Sequence, residues 1–172
     1  MEPRFQRSLF PEVLALAQRI AIVGSRAYPE PSAVQRFVSE LPAGTVVVSG
    51  GASGVDTWAE EAAYDRDLQT VVFPADWERH GRAAGPIRNA QVVDFADEVV
   101  AFWDGASRGT LNTVVQAVRK GNIVRVIGPD GRDIPLDEVV AAAERLGVVA
   151  AVNTTDVRPS PPTSCEMCGQ SD

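Results

Sequence analysis

The 172-residue sequence predicts an α/β domain, a three-layer sandwich on a mostly parallel sheet of five to six strands. Two observations carry this. Short β-branched runs alternate with stretches of helical apolar spacing, which implies parallel strands joined by right-handed helical crossovers. The runs are also apolar at successive positions, as strands covered on both faces are.

Taken in order, Ile20 to Val23 is the first strand, ended by Gly24. Val34, Phe37, Val38 and Leu41 follow the spacing of an amphipathic helix. Thr45 to Val48 is the second strand, closed by Gly50-Gly51, and Val55, Trp58, Ala59, Ala62 and Ala63 mark the next helix. Thr70 to Phe73 is the third strand, ended by Pro74. Ala75 to Ala84 reads as irregular, and Pro86 suits the first turn of a helix running to Phe95. Glu98 to Phe102 is the fourth strand, Leu111, Val114, Val115 and Val118 a helix, and Ile123 to Ile127 the fifth strand. After the turn Pro129-Asp130-Gly131, a last helix carries Val139, Val140, Ala143 and Leu146, and Val148 to Val152 reads as a short sixth strand. Residues 19–152 therefore form the domain, preceded by an N-terminal arm or helix over 1–18. Residues 153–172, rich in Pro, Ser and Thr, read as a flexible tail.

Composition narrows the function. No apolar run approaches the roughly 18 residues of a membrane span, and Met1 to Phe10 lacks a signal-type apolar stretch, so a cytoplasmic protein without a membrane partner is expected. The net charge of −7 gains nothing from counterion release, so duplex DNA is not an expected partner, although Arg79, Arg82 and Arg88 leave room for a local basic groove. Cys165 and Cys168 supply two of the four ligands a structural zinc needs, and the single histidine, His80, lies far away. No metal site is predicted; free thiols are the plain reading, a zinc shared between chains or a redox pair the alternatives.

Ligands of such folds sit at the C-terminal edge of the sheet, at the switch point of the strand order. If that order is 3-2-1-4-5, three glycine-bearing loops border one crevice there: Gly24-Ser25-Arg26, Gly50-Gly51-Ala52-Ser53-Gly54 with Asp56, and Trp103-Asp104 through Ser107, Gly109 and Thr110. Glycines let backbone approach an anion, and helix starts offer unpaired N–H groups and a favourable dipole. A phosphate ligand is the expected guest. Ser53-x-x-Asp56 reads either as a capping box or as a loop that turns the carboxylate to the ligand. Arg82, Arg88 and Asn89 are candidates to hold a phosphate or carboxylate, against a surface role. His80 lacks a carboxylate partner in sequence and reads as solvated or structural. Trp103 and Trp77 either stack on a base or pack.

These segments together resemble a known family. Ile22-Val23-Gly24-Ser25-Arg26, Val48-Ser49-Gly50-Gly51-Ala52-Ser53-Gly54-Val55-Asp56, Gly81-Arg82-Ala83-Ala84-Gly85-Pro86-Ile87-Arg88-Asn89 and Ala101-Phe102-Trp103-Asp104-Gly105 with Ser107-Arg108-Gly109-Thr110 are similar to the YspA-type branch of the SLOG superfamily, over roughly residues 19–128. The resemblance implies a Rossmann-like fold and a nucleotide or nucleotide-derived ligand; no cofactor beyond that ligand is assigned. It also implies pairing as a homodimer. The superfamily includes LOG phosphoribohydrolases, DprA single-stranded-DNA binders and molybdenum-cofactor carrier-like proteins. LOG enzymes carry a glutamate soon after a Gly-Thr pair, whereas Gly109-Thr110 is followed here by Leu111-Asn112-Thr113. A neutral amide is no general base. The expectation is a nucleotide-binding or sensor module. The alternatives are a nucleotide N-glycosidase of phosphoribohydrolase type, with Asp56 or Asp104 as the catalytic carboxylate, and a DprA-like single-strand binder.

Overall fold

The computed structural model describes residues 4–5 and 17–148. Its strands are β1 (Arg4–Phe5), β2 (Arg19–Gly24), β3 (Val46–Ser49), β4 (Gln69–Val72), β5 (Glu98–Phe102) and β6 (Ile123–Ile127). Its helices are α1 (Pro31–Ser39), α2 (Val55–Asp65), α3 (Trp77–His80), α4 (Ala84–Phe95), α5 (Arg108–Lys120) and α6 (Leu136–Arg145). They form one sheet in the order β1-β4-β3-β2-β5-β6. Strands β2 to β6 pair in parallel, and β1 adds antiparallel to β4 through Arg4↔Val72 and Phe5↔Val71.

The three layers follow from the strand period of two. In β2, Ala21 and Val23 join one core with Val92, Val93, Val114, Val118 and Val139 from α4, α5 and α6. Ile20 and Ile22 point the other way and pack with Val34, Val38, Val55 and Ala59 from α1 and α2. The same alternation divides Val46 and Val48 from Val47, and Val99 and Ala101 from Val100 and Phe102. Apolar side chains on both faces require a helix layer on each.

Two local readings change. The stretch from Ala75 to Ala84 is not irregular: α3 and a 3₁₀ turn at Gly81–Ala83 fill it. Asp76 starts α3 by accepting the Arg79 N–H at 3.1 Å, a cap too close to Pro74 to show as periodicity. The expected N-terminal arm contributes a short strand, Arg4–Phe5; of the expected strand Val148 to Val152, Val148 lies in a bend and residues 149–152 lie outside the described residues. So do the remainder of the N-terminal arm and the tail with Cys165 and Cys168.

Strand β2 occupies the centre, so its exit sits at the switch point, where β3 leads to one side and β5 to the other. Tyr28 ties that exit loop to the far side of the sheet. Its buried hydroxyl donates to the Gly128 carbonyl at 2.7 Å, and its ring meets Phe102 edge-on at 5.4 Å. Tyr28→Phe keeps the ring and loses the bond. It should cost about 1 kcal/mol in urea unfolding, with no change in the far-ultraviolet circular dichroism.

Candidate functional site

A cavity of about 590 Å³ opens at the C-terminal edge of the sheet, at the size of small-ligand pockets. Gly24 and Arg26 from the β2 exit, Gly50, Ala52 and Asp56 from the β3 exit, and Arg88 and Asn89 from α4 line it. Asp104, Ser107, Gly109 and Thr110 close it from the β5 exit. The starts of α2 and α5 therefore border one space.

Not every expected residue reaches it. Ser25, Gly51, Ser53, Gly54, Arg82 and Trp103 do not line the cavity. Ser25 is fully buried: its Oγ shares a hydrogen bond with Thr110 Oγ1 at 3.3 Å and accepts the Asp104 N–H at 3.1 Å. It buttons the β5 exit to the β2 exit. Gly51 and Gly54 supply backbone shape, with φ of 66° and 87°. A Cβ at Gly54 would stand 2.8 Å from Arg26 Cα, so this glycine lets two loops touch. Arg82 is exposed away from the crevice. Trp103 is packing: it is buried, and its indole N–H donates to the Ser107 carbonyl at 3.2 Å. His80 is exposed at the end of α3.

The capping box does not form. Gly54 is the N-cap of α2 and no side chain caps it. Asp56 instead folds inward, only 3% exposed, and its Oδ2 accepts the N–H groups of Gly50 at 3.1 Å and Ala52 at 3.3 Å. Gly51 N–H goes to Ser49 Oγ at 2.9 Å, and that hydroxyl donates to Glu60 Oε1 at 2.5 Å. The amides of Gly50, Gly51 and Ala52 are thus satisfied within the protein. Burial pushes the Asp56 carboxyl up to about 6, against the lowering effects of the Arg88 charge and the two amides. Burial likewise raises Glu60.

Arg88 bridges the loops. It donates from Nη1 to the Gly50 carbonyl and from Nε to Asn89 Oδ1 at 3.0 Å, and its burial lowers its pKa. Asn89 Nδ2 donates to Asn112 Oδ1 at 3.1 Å, which also receives the Gln116 amide at 2.7 Å. A polar chain thus runs from the β3 exit across α4 to α5.

At the α5 start, Asp104 Oδ1 accepts the N–H groups of Ala106 at 3.0 Å and Ser107 at 2.8 Å. Burial pushes Asp104 up, but these amides and the Ser25 hydroxyl outweigh it and hold the carboxyl below its ordinary value. Ser107 Oγ caps the helix on the Thr110 N–H at 3.3 Å and also accepts the Thr110 hydroxyl at 2.9 Å. The Thr110 hydroxyl is therefore committed to the protein. What faces the cavity uncommitted is the pair of first-turn N–H groups at Arg108 and Gly109, together with the Arg26 side chain, which makes no hydrogen bond or ion pair among the described residues. Arg108 reaches the Gly147 carbonyl at 3.4 Å.

Sequence reasoning did not single out Arg108, Gly85, Pro86, Asn112 or Gly147 as lining residues. Arg108 was recoverable, since it is the first residue of the helix whose next two positions were named. The others arrive by topology. Among the described residues no cluster of histidine, cysteine and carboxylates could hold a metal, and no helix is long and apolar enough to cross a membrane.

Known proteins agree with this architecture. DNA processing protein A from Streptococcus pneumoniae superposes with a TM-score of 0.57 at 21% identity over 78% of this chain. Its namesake from Helicobacter pylori, described for its single-stranded-DNA binding mode, gives 0.54 at 23% identity over 69%. The chain spans 57% of the first of these proteins and 68% of the second, and the likeness establishes the Rossmann-like fold. The Gene 61 protein of Mycobacterium phage D29 is 36% identical over 114 residues, which are 60% of this chain and 91% of the phage protein. Residues 18–80, from the β2 strand through α3, match the model of the YspA, cpYpsA-related SLOG family. With that stretch holding both the β2 exit and the glycine loop, and with a relative matched over almost its whole length, the chain belongs to the YspA-related SLOG family.

Proposed function

We propose that the chain is a binding or sensor module for a nucleotide or nucleotide-derived phosphate ligand held in the edge cavity. One observation carries the reading: the α5 start opens into a cavity that also receives Arg26 and Arg108. The dipole and first-turn amides of that helix favour an anion, and the guanidiniums add charge and bidentate donors. The glycine loop ahead of α2 contributes less than its glycines suggest, because Asp56 and Ser49 already take the amides of Gly50, Gly51 and Ala52. The phosphate end of the ligand therefore belongs on the α5 side. Cytoplasmic residence and a homodimer, testable by sedimentation, are part of the proposal.

Gly109→Val is the direct test. Nothing stands within 4 Å of a Cβ at Gly109, so the variant should fold, while the branched side chain covers the helix start. A nucleotide at a hundred times its Kd should stabilise the wild type by about 2.7 kcal/mol. The thermal shift should vanish in Gly109→Val, and an unchanged shift refutes the placement. Gly51→Val is a poor companion, since φ is 66° and its Cβ would meet Val72 at 3.0 Å.

A second reading, a nucleotide N-glycosidase, draws on Asp56, a buried carboxyl at the cavity with its pKa moved to about 6. Release of free base that ends in Asp56→Asn supports it; binding without release favours the module. A DprA-like single-strand binder would lose DNA affinity steeply with salt, and the net charge of −7 argues against it.

A further inference from the structure

Large apolar side chains stand exposed at four described positions, Tyr64, Trp77, Ile87 and Leu146, and of these only Trp77 lines the cavity. The residue is 55% exposed, and its indole N–H has no partner among the described residues. Trp103, the other tryptophan that follows a strand, is spent on packing and on the Ser107 carbonyl. Trp77 is held in place without being covered. It opens α3, whose cap Asp76 accepts the Arg79 N–H, and its Cη2 lies 3.5 Å from where a Cβ of Gly85 would sit. One edge of the ring thus rests beside the first turn of α4, at a residue without a side chain, and Pro86 continues the same wall of the cavity.

We propose that Trp77 is a stacking platform for a nucleobase, so that the ligand is a nucleotide with its base attached rather than a sugar phosphate or inorganic phosphate. The inference rests on the reading of the cavity as a phosphate-ligand site, and assigns its other end. Trp77 follows β4, while Arg108 and Gly109 follow β5; with the order β4-β3-β2-β5 those exits are three strand spacings apart, about 14 Å. Cationic and amide donors and an uncovered π face thus line the same crevice. A phosphate has no use for the indole, because it offers no ring to stack. A base does: its face removes the ring from water and gains stacking contact, whichever base it is. Arg26 and Arg108 hold the anionic part, and the indole separates nucleotides from their base-free fragments.

The test compares AMP, GMP, CMP and UMP with ribose 5-phosphate on the full chain, by calorimetry and by tryptophan fluorescence. At least one nucleotide should bind tenfold or more tighter than ribose 5-phosphate, with quenched emission. Trp77→Leu keeps apolar bulk and removes the aromatic face. It should weaken nucleotide binding about tenfold and leave ribose 5-phosphate unchanged, and Trp77→Phe should recover part of the loss. Equal nucleotide affinity in Trp77→Leu overturns the platform, and so does an equal loss for ribose 5-phosphate, which marks a structural role. Either result leaves the phosphate site standing if Gly109→Val still abolishes binding. If neither nucleotides nor ribose 5-phosphate bind the wild type, the phosphate site falls and the platform with it.

Discussion

Asp56→Asn should make the protein more stable at pH 7.5 and flatten its stability between pH 4 and 7. The carboxyl sits at about 6 in the folded chain, against about 3.9 when unfolded. Between those values the folded state binds the proton that the unfolded state has released. Unfolding free energy therefore falls as pH rises through this window. The full difference is about 3 kcal/mol, at 1.36 kcal/mol for each pH unit. Both loop amides bind the single atom Oδ2, so the carbonyl oxygen of an asparagine can take them over and the loop keeps its shape. Arg88 loses its neighbouring charge, which reduces the gain. Glu60 is raised in the same direction and leaves a residual slope. Asp97 and Asp104 are held low and act only below this window. Urea unfolding at pH 4.5, 6 and 7.5 measures the effect; parallel curves for variant and wild type would show that Asp56 does not titrate as placed.

Gly24→Ala should be strongly destabilising although it adds a single methyl group. Its Cβ would stand 2.5 Å from the Phe102 carbonyl oxygen and 2.7 and 2.8 Å from Val55. That carbonyl belongs to the neighbouring strand and accepts the Ser25 N–H at 3.0 Å, so it cannot swing aside. Overpacking of this kind costs about 1–3 kcal/mol, and a backbone obstacle puts this case at the upper end or beyond. Gly50→Ala is the control. The three atoms nearest its Cβ all belong to the Arg88 side chain, a movable group, so the variant should lose little stability while freeing Arg88 from the loop. Denaturant midpoints that fall equally in the two variants would contradict this distinction.

Sheet order and layers were legible because they depend on patterns that tertiary contacts reinforce. Ile20 to Val23 and Val46 to Val48 are apolar on both faces, and only a sheet between two helix layers accommodates that. The β1 strand was not legible: two residues, Arg4 and Phe5, carry no period, and their pairing with β4 is set from outside. The converging loops were legible from glycines placed between strands and helices. Which groups remain open to a ligand was not. Asp56 had two readings in sequence, and the structure takes neither in full: it lines the cavity while binding the loop rather than the helix start. Ser25 and Thr110 look like donors in a list of residues but satisfy each other and Ser107 across 85 and three positions of chain. Trp77 and Trp103 had equal claims until burial separated them.

Gly147 and Val148 stand on the rim of the cavity, and Arg108 touches the Gly147 carbonyl. Whatever follows Val148 thus sets out from the doorway of the site. A shortened chain stopping there would carry a terminal carboxylate near Arg108, a built-in rival to any anionic guest. Shortened versions meant for affinity measurements are better ended with an amide or several residues later.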